Sequence, residues 1–389
     1  MWQHAIIYPD INNDWAWAEK RLVGLPAIVR VLLTLHGSGI KKVILPATGH
    51  NFRSIIERWS KRKKLPDLVW QDGYGTGDVP SESPVLCVRG GILFEASLLR
   101  WFYKLKERTP QRLTCVMDSG KLPVLTSDDA AFENDGMEEE EGGKEISVPS
   151  NIFCRRVSQL TPPGNDRGLL EMVGKLDEAV HVRWFRNWTF SAVRLFSNLG
   201  VSPNQLTWAG FMIGLAGAFI LSRGSYWEQV MGALLLCGSW IFDNMDGTLA
   251  RLTFSESRKG EKLDSTLGHL TNLAFFAALV WAVYGKESIL KAGLVSLFML
   301  GSITLALRIC QMERRFRNGT KKNSRFKWLQ VFLDQINGRD FTVLVLIFAL
   351  IDGFKFFLWG SLAGLQIFWM LHLWLLYKHR TGTAINSCR

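Results

Sequence analysis

The sequence predicts two folds in one chain: an α/β domain, followed by an all-α membrane domain of six transmembrane helices. Up to about Thr126, short β-rich runs alternate with helical stretches, a pattern typical of helices layered on a mainly parallel sheet. After Val201, apolar runs rich in Leu, Phe, Ala, Trp and Gly are separated by short charged clusters, as in membrane proteins. This change in composition divides the chain into two kinds of structure.

The first domain is predicted to cover residues 1–126, where AIIY, KKVILPA and PVLCVRGGILF have the composition of strands. The stretch Ser127–Glu145 carries a block of like charge flanked by Gly, so residues 127–167 are predicted to form an acidic loop and linker. In residues 168–199, aromatic side chains alternate with Arg and His, which favours an amphipathic helix in the membrane interface. A core helix of the soluble domain is the alternative for this last segment.

Six transmembrane helices are predicted within residues 200–380. Each is close to the ~17–25 residues that cross a hydrocarbon layer of ~30 Å. Clusters of Lys and Arg follow the second, fourth and sixth helices, so an even number of helices places all three clusters on one side. The positive-inside rule then predicts a protein of the inner or plasma membrane with both termini and the active site in the cytoplasm. The predicted helices are approximately Leu206–Leu221, Trp227–Phe242, Leu267–Tyr284, Leu290–Arg308, Phe341–Leu358 and Gly360–Tyr377.

The charge and the cysteines narrow the class of protein further. The formal net charge of +11 would suit nucleic acid or anionic lipid, but the basic residues lie beside apolar runs. We therefore interpret them as the positive loops of a membrane protein and predict no nucleic-acid partner. The six cysteines are scattered without a CxxC pair, which predicts neither a disulfide framework nor a cysteine metal site. The first eight residues lack the pattern of a secretory signal.

The segment Asp243–Arg251, DNMDGTLAR, places charge directly after an apolar run. Placing a charged group within a membrane costs free energy, so such a group is first interpreted as functional. At 100° per residue, Asp243, Asp246, Gly247 and Ala250 fall within roughly a 100° arc of a helix. Two carboxylates therefore share a face with two residues that are too small to block a ligand.

The next helix is predicted to supply a third carboxylate, because Gly260 and Asp264 are four residues apart and share a helix face. Packed side by side, the two helices would gather three carboxylates around one space. A divalent cation would relieve their repulsion, and oxygen ligands favour Mg²⁺ or Mn²⁺. Such a site suits a pyrophosphate, to which Arg251 could add positive charge. The alternative is that the Asp residues cap helices or pair with Lys259 and Lys262.

The stretch DNMDGTLARLTFSESRKGEKLD resembles the signature of the CDP-alcohol phosphatidyltransferase family, D-x2-D-G-x2-A-R-x8-G-x3-D-x3-D, and GVSPNQLT resembles the entry to that family's first membrane helix. The resemblance implies an integral membrane transferase of phospholipid or polar-lipid synthesis, often dimeric. It would move a phosphoalcohol, phosphatidyl or similar, from a CDP-linked donor to a hydroxyl acceptor and release CMP. The resemblance also implies metal ions held by Asp243, Asp246 and Asp264, and a CDP site lined by Gly247, Ala250, Arg251 and Gly260.

The last Asp of the signature is Gly268 in this chain, although the resemblance implies that this Asp binds metal and deprotonates the acceptor. His269 has a suitable unperturbed pKa near ~6.5, but it lies about 100° around the helix from Gly268. Glu261, one turn before Asp264, could supply a carboxylate from another side. His269 and Glu261 are therefore the candidate catalytic residues.

The N-terminal region resembles the nucleotidyltransferase domain that makes NDP-sugars and CDP-alcohols, through AIIYPD, KRLVGLPAIVRVLLTLHGSGIKKVIL and PVLCVRGGILF. The layout is similar to the fusion of inositol-phosphate cytidylyltransferase with di-inositol-phosphate phosphate synthase. However, INNDWAWAE replaces the phosphate-binding glycine loop, and Arg89–Gly91 stand where the family has a metal-binding Asp. We therefore expect a degenerate domain that serves as a regulator or scaffold.

Two functional hypotheses follow. The leading hypothesis is a membrane transferase with Mg²⁺ or Mn²⁺ as cofactor, membrane lipid as its environment and a homodimer as its assembly. The alternative is a pseudoenzyme that binds a CDP-alcohol, metal or a partner without turnover, because the last signature Asp is Gly268. A transporter or channel would need polar residues along several helices at midplane depth, and the last two predicted helices contain few.

Overall fold

A computed structural model of the protein separates into two compact units. The first unit contains Met1–Gly200 and Arg251–Ser255, and the second contains Val201–Ala250 and Glu256–Arg389. The predicted acidic loop and linker, residues 127–167, is not a loop throughout its described part, because Lys144–Ser147 and Cys154–Arg156 are strands and Val157–Leu160 is a helix. The predicted domain boundaries stay a prediction. The structure describes residues 2–10, 15–47, 52–71, 85–109, 113–117, 122–128, 144–149, 152–160, 168–170, 180–319 and 341–386.

The first unit is built on a seven-stranded sheet with the strand order β10-β8-β9-β6-β1-β4-β5. Two short antiparallel pairs, β2–β3 and β7–β11, lie outside this sheet. The described strands are β1 His4–Tyr8, β2 Arg21–Leu22, β3 Leu25–Pro26, β4 Lys42–Pro46, β5 Asp67–Gln71, β6 Val85–Arg89, β7 Ile92–Phe94, β8 Leu113–Met117, β9 Leu122–Asp128, β10 Lys144–Ser147 and β11 Cys154–Arg156. The helices are α1 Ala16–Glu19, α2 Ala27–Gly37, α3 Phe52–Ser60, α4 Ala96–Lys106, α5 Val157–Leu160 and α6 Val180–Asn198.

The predicted α/β class is confirmed, and the sheet is mixed rather than uniform. Strand β1 pairs in parallel with β4 and β6, and β4 pairs in parallel with β5. Strand β9 runs antiparallel to both β6 and β8. The alternation of strands and helices predicts the parallel half, because parallel strands need crossover helices.

The centre of this sheet is apolar on both faces. Ile6 and Ile7 of β1 are completely buried although adjacent side chains point to opposite faces, as is typical of a strand covered on both sides. Helix α2 also contributes to the core of this unit, since Ile28, Leu32 and Leu35 are fully buried. The apolar runs of the sequence therefore form the core of the first unit.

Residues 180–198 of the predicted amphipathic segment 168–199 form helix α6, whereas residues 171–179 lie outside the described part. One side of α6 is buried, with Phe190 2% exposed and Val193 fully covered. On the other side, Trp188 is 74% exposed and Leu195 is 56% exposed. The helix therefore has a core-facing side and an exposed apolar side, and its place at a membrane interface stays a prediction.

The second unit is helical. Ser202 begins its first helix with a capping box, in which its hydroxyl accepts from the Gln205 N–H while the Gln205 side chain accepts from the Ser202 N–H. Ser257 caps a later helix by accepting from the Gly260 N–H at 3.0 Å. These helices are α7 Pro203–Leu221, α8 Tyr226–Leu252, α9 Arg258–Tyr284, α10 Ile289–Gly319, α11 Phe341–Leu350 and α12 Phe354–Asn386; α8 ends in the segment assigned to the first unit.

Four described helices are long and apolar enough to cross a membrane: Pro203–Leu221, Arg258–Tyr284, Ile289–Ala306 and Phe354–Leu375. This finding supports an integral membrane protein, but the predicted number of six is not confirmed. Helix α8 is not among the four; its mainly apolar run, residues 230–242, is bounded by Gln229 and Asp243 and is shorter than the ~17–25 residues of a membrane crossing. Helix α11 has ten described residues, which is short for a membrane crossing.

The boundary predicted between the last two helices is wrong. The sequence predicts a break between Leu358 and Gly360, whereas the chain turns at Ile351–Gly353 and both predicted boundary residues lie inside α12. Asp352 has a φ of 53° at the turn, and the Gly353 N–H donates to the Phe348 carbonyl at 2.8 Å. Because this region is almost entirely apolar, its hydropathy gives little indication of where one helix ends.

Glycines allow α7 to pack closely on α8. A Cβ added to Gly217 would lie 2.9 Å from the carbonyl oxygen of Gly232, and one added to Gly232 would lie 2.7 Å from that of Gly217. Farther along α7, a Cβ on Gly214 would lie 2.5 Å from Thr271 of α9. Small residues at helix crossings are common in membranes because they bring backbones into contact.

Candidate functional site

Helices α7, α8 and α9 surround a small pocket. The open space between its walls, including solvent, is about 200 Å³. The pocket combines hydroxyl groups, a carboxylate and glycine backbone, a suitable set for a polar ligand. Its lining residues are Thr207, Gly210 and Phe211 from α7, Ser239 and Asp243 from α8, and Leu267, Gly268 and Thr271 from α9.

Two carboxylates of α8 lie at or near this pocket, as their spacing predicts. Asp243 is half-buried and lines the pocket. Asp246, one turn later, is only 4% exposed and accepts a hydrogen bond from the Thr207 hydroxyl at 2.5 Å. A buried carboxylate is strongly disfavoured unless hydrogen bonds compensate its lost hydration, so Thr207 stabilises Asp246 and joins α7 to α8.

Gly260 and Asp264 lie near the start of α9, and both are half-buried. A Cβ added to Gly260 would lie 3.2 Å from the Asn204 side-chain oxygen at the start of α7. This distance is tighter than most real Cβ contacts, so the glycine permits a close approach of α7. Neither residue lines the pocket.

The predicted metal site requires three carboxylates to lie close together. Among the described residues, no group of three or more His, Cys, Asp or Glu side chains is placed to hold a metal ion together. Asp243 and Asp246 share a helix face, whereas Asp264 is contributed by a different helix. A metal site that includes all three carboxylates stays a prediction.

Gly268 occupies the position where the family signature has its last Asp, and it is buried in the pocket wall. The two candidate catalytic residues are placed differently, because His269 and Glu261 are exposed and neither lines the pocket. The pocket lining therefore includes Asp243 as its carboxylate and, from another helix, a residue without a side chain. The catalytic roles of His269 and Glu261 stay predictions.

The predicted CDP-binding residues of α8 lie in its last two turns. Gly247, Ala250 and Arg251 are each half-buried and lie outside the pocket lining. Arg251 belongs to the short segment that clusters with the first unit, whereas Ala250 belongs to the second. The signature therefore runs across a boundary between the two units, which its spacing does not reveal.

The segment Arg89–Gly91, predicted to stand where a nucleotidyltransferase has its metal-binding Asp, is tightly packed. A Cβ on Gly91 would lie 2.6 Å from the Asp10 carboxylate, and one on Gly90 would lie 2.7 Å from the Trp17 ring. Burial lowers the pKa of Arg89, while the nearby Asp10 charge opposes this shift. Residues 11–14 of the replaced glycine loop lie outside the described part, so the loss of nucleotide binding stays a prediction.

Thr207 is a site residue that the sequence alone does not indicate. The stretch GVSPNQLT indicates the entry to a helix, but it does not show that the Thr207 hydroxyl lies beside Asp246. A recognisable signal is a threonine one turn after a Ser-Pro cap, facing a helix that contains paired Asp residues. Such a signal is weak, because the threonine hydroxyl often donates within its own helix, and the Pro203 carbonyl, 3.1 Å from the Thr207 hydroxyl, is a second acceptor for its one proton.

Long apolar helices, with a half-buried and a buried carboxylate beside a pocket between them, define an integral membrane protein with a polar site between its helices. Residues 200–374 match the model of the CDP-alcohol phosphatidyltransferase family. The match covers somewhat less than half of the chain and shows that its membrane region is similar to that family. It confirms the resemblance that the residues from Asp243 to Asp264 carry.

Two curated relatives share parts of the sequence. Phosphatidylinositol phosphate synthase from Corynebacterium glutamicum is 34% identical over 110 residues, which are 27% of this chain and 48% of the relative. The bifunctional IPC transferase and DIPP synthase from Archaeoglobus fulgidus is 28% identical over 172 residues, which are 44% of this chain and 30% of the relative. The chain thus spans less than half the length of either relative. The bifunctional relative supports a layout in which an N-terminal domain precedes the membrane domain.

Solved structures of one further protein are similar to the chain. Crystal structures of Mycobacterium tuberculosis phosphatidylinositol phosphate synthase, PgsA1, with CDP-DAG bound and in complex with manganese and citrate, match at 19% identity and a TM-score of 0.34. Each match covers 49% of this chain, and the matches cover 93% and 88% of the respective solved chains. A TM-score this low supports no comparison of the sites.

Proposed function

We propose that the protein is a membrane transferase that moves a phosphoalcohol from a CDP-linked donor to a hydroxyl acceptor and releases CMP. The observation that carries this proposal is the pocket between α7, α8 and α9, with Asp243 in its wall and the buried Asp246 beside it. Both carboxylates lie inside the region that matches the family. An exclusively structural site would have little need for a buried carboxylate, because burying charge lowers stability.

The donor set fits a hard divalent cation. Asp246 is buried and oriented by Thr207, and Asp243 opens into the pocket, so carboxylate oxygens of the kind that Mg²⁺ and Mn²⁺ prefer are available. We propose that Asp243 and Asp246, together with Asp264, hold the metal. A bound metal would polarise the phosphoryl oxygens and stabilise the charge of the leaving group.

The chain's own residues bind the substrates and handle the proton. Gly247, Ala250, Arg251 and Gly260 are proposed to bind CDP, with Arg251 offsetting phosphate charge. The acceptor oxygen forms a bond to the phosphorus that carries the alcohol, and the bond from that phosphorus to the CMP oxygen breaks. The hydroxyl proton needs a base, which Gly268 cannot be, so Glu261 and His269 are the proposed candidates.

The acceptor and the surroundings of the site are also proposals. The printed names of the two relatives favour an inositol phosphate as the first acceptor to test. We further propose a homodimer surrounded by lipid, in the inner or plasma membrane, with the termini and the active site facing the cytoplasm. The first unit is proposed to be a degenerate nucleotidyltransferase-like domain.

Release of CMP by the purified chain in lipid vesicles tests the proposed transfer. CDP-diacylglycerol and CDP-inositol would be supplied with an acceptor pool that includes inositol phosphate, with Mg²⁺, with Mn²⁺ and with a chelator. We expect release only with metal, and a loss of at least about 100-fold in Asp243→Asn and Asp264→Asn. Glu287→Gln is the matched control, because Glu287 is an exposed carboxylate in the loop after α9. Metal-independent release, or equal loss in the control, would contradict the proposal.

Gly268 specifically favours the alternative, a pseudoenzyme that binds a CDP-alcohol without turnover, because the pocket lacks the carboxylate that the family signature places there. Gly268→Asp distinguishes the two functions. If the chain is a slow enzyme without an efficient base, restoring the carboxylate should raise CMP release by about 100-fold, whereas Gly268→Asn should not. CDP binding with no release by either the wild type or Gly268→Asp would establish the pseudoenzyme.

A further inference from the structure

The segment that links α8 to α9 clusters with the α/β residues of the first unit. Arg251–Ser255 belongs to this unit, while the residues on either side of the segment belong to the second. In the signature, the segment begins at Arg251 and continues into the eight-residue spacer before Gly260. The conformation of this segment therefore sets the distance between Arg251 and Gly260, two residues proposed to bind CDP.

Arg30 of α2 holds the end of α8. Its guanidinium is 1% exposed and donates to the Leu252 carbonyl at 2.7 Å, to the Leu22 carbonyl at 2.6 Å and 3.1 Å, and to the Val23 carbonyl at 3.2 Å. Burial lowers the pKa of Arg30 to about 9, and the carbonyl oxygens compensate its lost hydration. Leu252 is the last residue of α8, where the helix dipole favours a cation.

Lys63 holds the next two carbonyl groups. Its ammonium donates to the Thr253 carbonyl at 2.8 Å and to the Phe254 carbonyl at 3.3 Å. Phe254 has a φ of 50°, a left-handed conformation that is unusual for a bulky residue. Three consecutive carbonyls, at 252, 253 and 254, thus accept hydrogen bonds from two cations that are distant in sequence.

The carbonyl groups of Leu22 and Val23, which accept hydrogen bonds from Arg30, lie at a hairpin turn that α6 also contacts. Val23 and Gly24 have φ values of 44° and 75°, as expected for a tight two-residue hairpin turn. The Ser197 hydroxyl of α6 donates to the Val23 carbonyl at 3.0 Å. Arg30 therefore joins the hairpin, which α6 also contacts, to the end of α8.

We infer that Arg30 and Lys63 are positioning residues for the CDP site, since they fix the spacer that separates Arg251 from Gly260. This inference rests on the proposed function and deepens it by giving the α/β unit a task that requires no nucleotide chemistry of its own. Helix capping alone would also stabilise the loop, but it would not change the affinity for CDP.

Two measurements on the full chain in vesicles separate positioning from capping. The first is hydrogen–deuterium exchange of the backbone amides of residues 251–257, and the second is the dissociation constant of CDP, with the donor KM and kcat measured where turnover occurs. Lys63→Met is compared with Lys64→Met, which removes the same charge from an exposed neighbour. Arg30→Lys keeps the buried charge but cannot form the same set of hydrogen bonds.

In Lys63→Met and Arg30→Lys we expect faster exchange and CDP affinity weaker by about fivefold or more, with kcat changed less than KM and Lys64→Met like the wild type. Faster exchange with unchanged CDP affinity would overturn the inference in favour of capping, and an equal effect of Lys64→Met would overturn it in favour of net charge. A wild type that binds CDP without releasing CMP refutes only the transfer, because the affinities can still be compared. A wild type that binds no CDP refutes both.

Discussion

Asp246 shows how a single residue can indicate function through its energetic cost. The carboxylate is 4% exposed, and its neighbours Met245 and Leu249 are also buried. Replacing buried ionic groups with apolar residues of similar volume is often neutral or stabilising. Thr207 reduces the cost by donating a hydrogen bond at 2.5 Å, but an apolar residue would need no such compensation. An acidic residue at this position is therefore better explained by ligand binding than by stability.

Thr207→Val should reduce CMP release while preserving the shape of the side chain. The variant removes the hydroxyl that donates to Asp246, and a hydrogen bond to a charged group contributes ~1.5–3 kcal/mol. We expect the initial rate to fall by about 10- to 100-fold. The measurement is the metal-dependent rate in vesicles at saturating donor.

Thr207→Ser is the matched control, because it keeps the hydroxyl and removes one methyl group. Its rate should stay within about threefold of the wild type. If the serine variant lost as much activity as the valine variant, the packing of the methyl group would explain the effect. The proposed role of the hydrogen bond would then be wrong.

The sequence predicts site residues on one helix much better than contacts between elements. Asp243 and Asp246 could be placed on one face from their spacing, because helical geometry fixes it. Thr207 lies 39 residues before Asp246, and Arg30 lies 222 residues before Leu252. Contacts between residues so distant in sequence leave no periodic pattern in it. For Arg30, the sequence LPAIVRVLL shows only that one arginine interrupts an apolar run.

At the scale of elements, the crossing of α7 and α8 depends on two glycines. Gly217 and Gly232 each face the other's carbonyl oxygen so closely that an added Cβ would lie within 3 Å of it. A backbone oxygen cannot move aside as a flexible side chain can. The crossing brings together the helices that provide Thr207 and Asp246, so its geometry affects the site.

Gly217→Ala should destabilise the protein by about 1–3 kcal/mol, the usual range for overpacking. The measurement is the melting temperature in detergent, which we expect to fall. Gly293→Ala is the matched control, because no atom lies within 4 Å of the position of its added Cβ and alanine favours helices over glycine by ~1 kcal/mol. Its melting temperature should stay the same or rise, and an equal decrease in both variants would refute the close crossing.

The direction of strands and the ends of helices were the elements least accessible from sequence. The antiparallel course of β9 could not be predicted, because hydropathy along a strand does not report its direction. The end of α11 was misplaced for a related reason, since Gly360 suggests a break but lies within a continuous helix. The two halves of the signature are helical as predicted, with Asp243 and Asp246 in α8 and Gly260 and Asp264 in α9, because their charged and small residues recur at helical spacing.

At the scale of the whole molecule, the signature is shared between the two compact units. The chain enters the first unit at Arg251 and returns to the second at Glu256. Of the residues proposed to bind CDP, Arg251 therefore belongs to the first unit, whereas Gly247, Ala250 and Gly260 belong to the second. The side of the membrane on which Arg251–Ser255 lies depends on the orientation of the whole protein in the membrane.

The distribution of charge predicts that side. Near the junction of α8 and α9 the basic residues are Arg251, Arg258, Lys259 and Lys262, whereas the junction of α9 and α10 has Lys286 and Lys291 together with Glu287. Positive loops remain in the cytoplasm, so the two junctions should lie on opposite sides, with the first one inside.

Single cysteines in the two junctions test this prediction with a membrane-impermeant maleimide. Glu256 and Lys286 are both exposed, so Glu256→Cys and Lys286→Cys form a matched pair, with the unaltered chain reporting any labelling of the native cysteines. In intact cells we expect only Lys286→Cys to react, and after permeabilisation both should react. Labelling of Glu256→Cys alone in intact cells would reverse the orientation and place the proposed CDP site outside. Since CDP-linked donors are made from cytoplasmic nucleotides, that outcome would count against the transferase as well as against the predicted orientation.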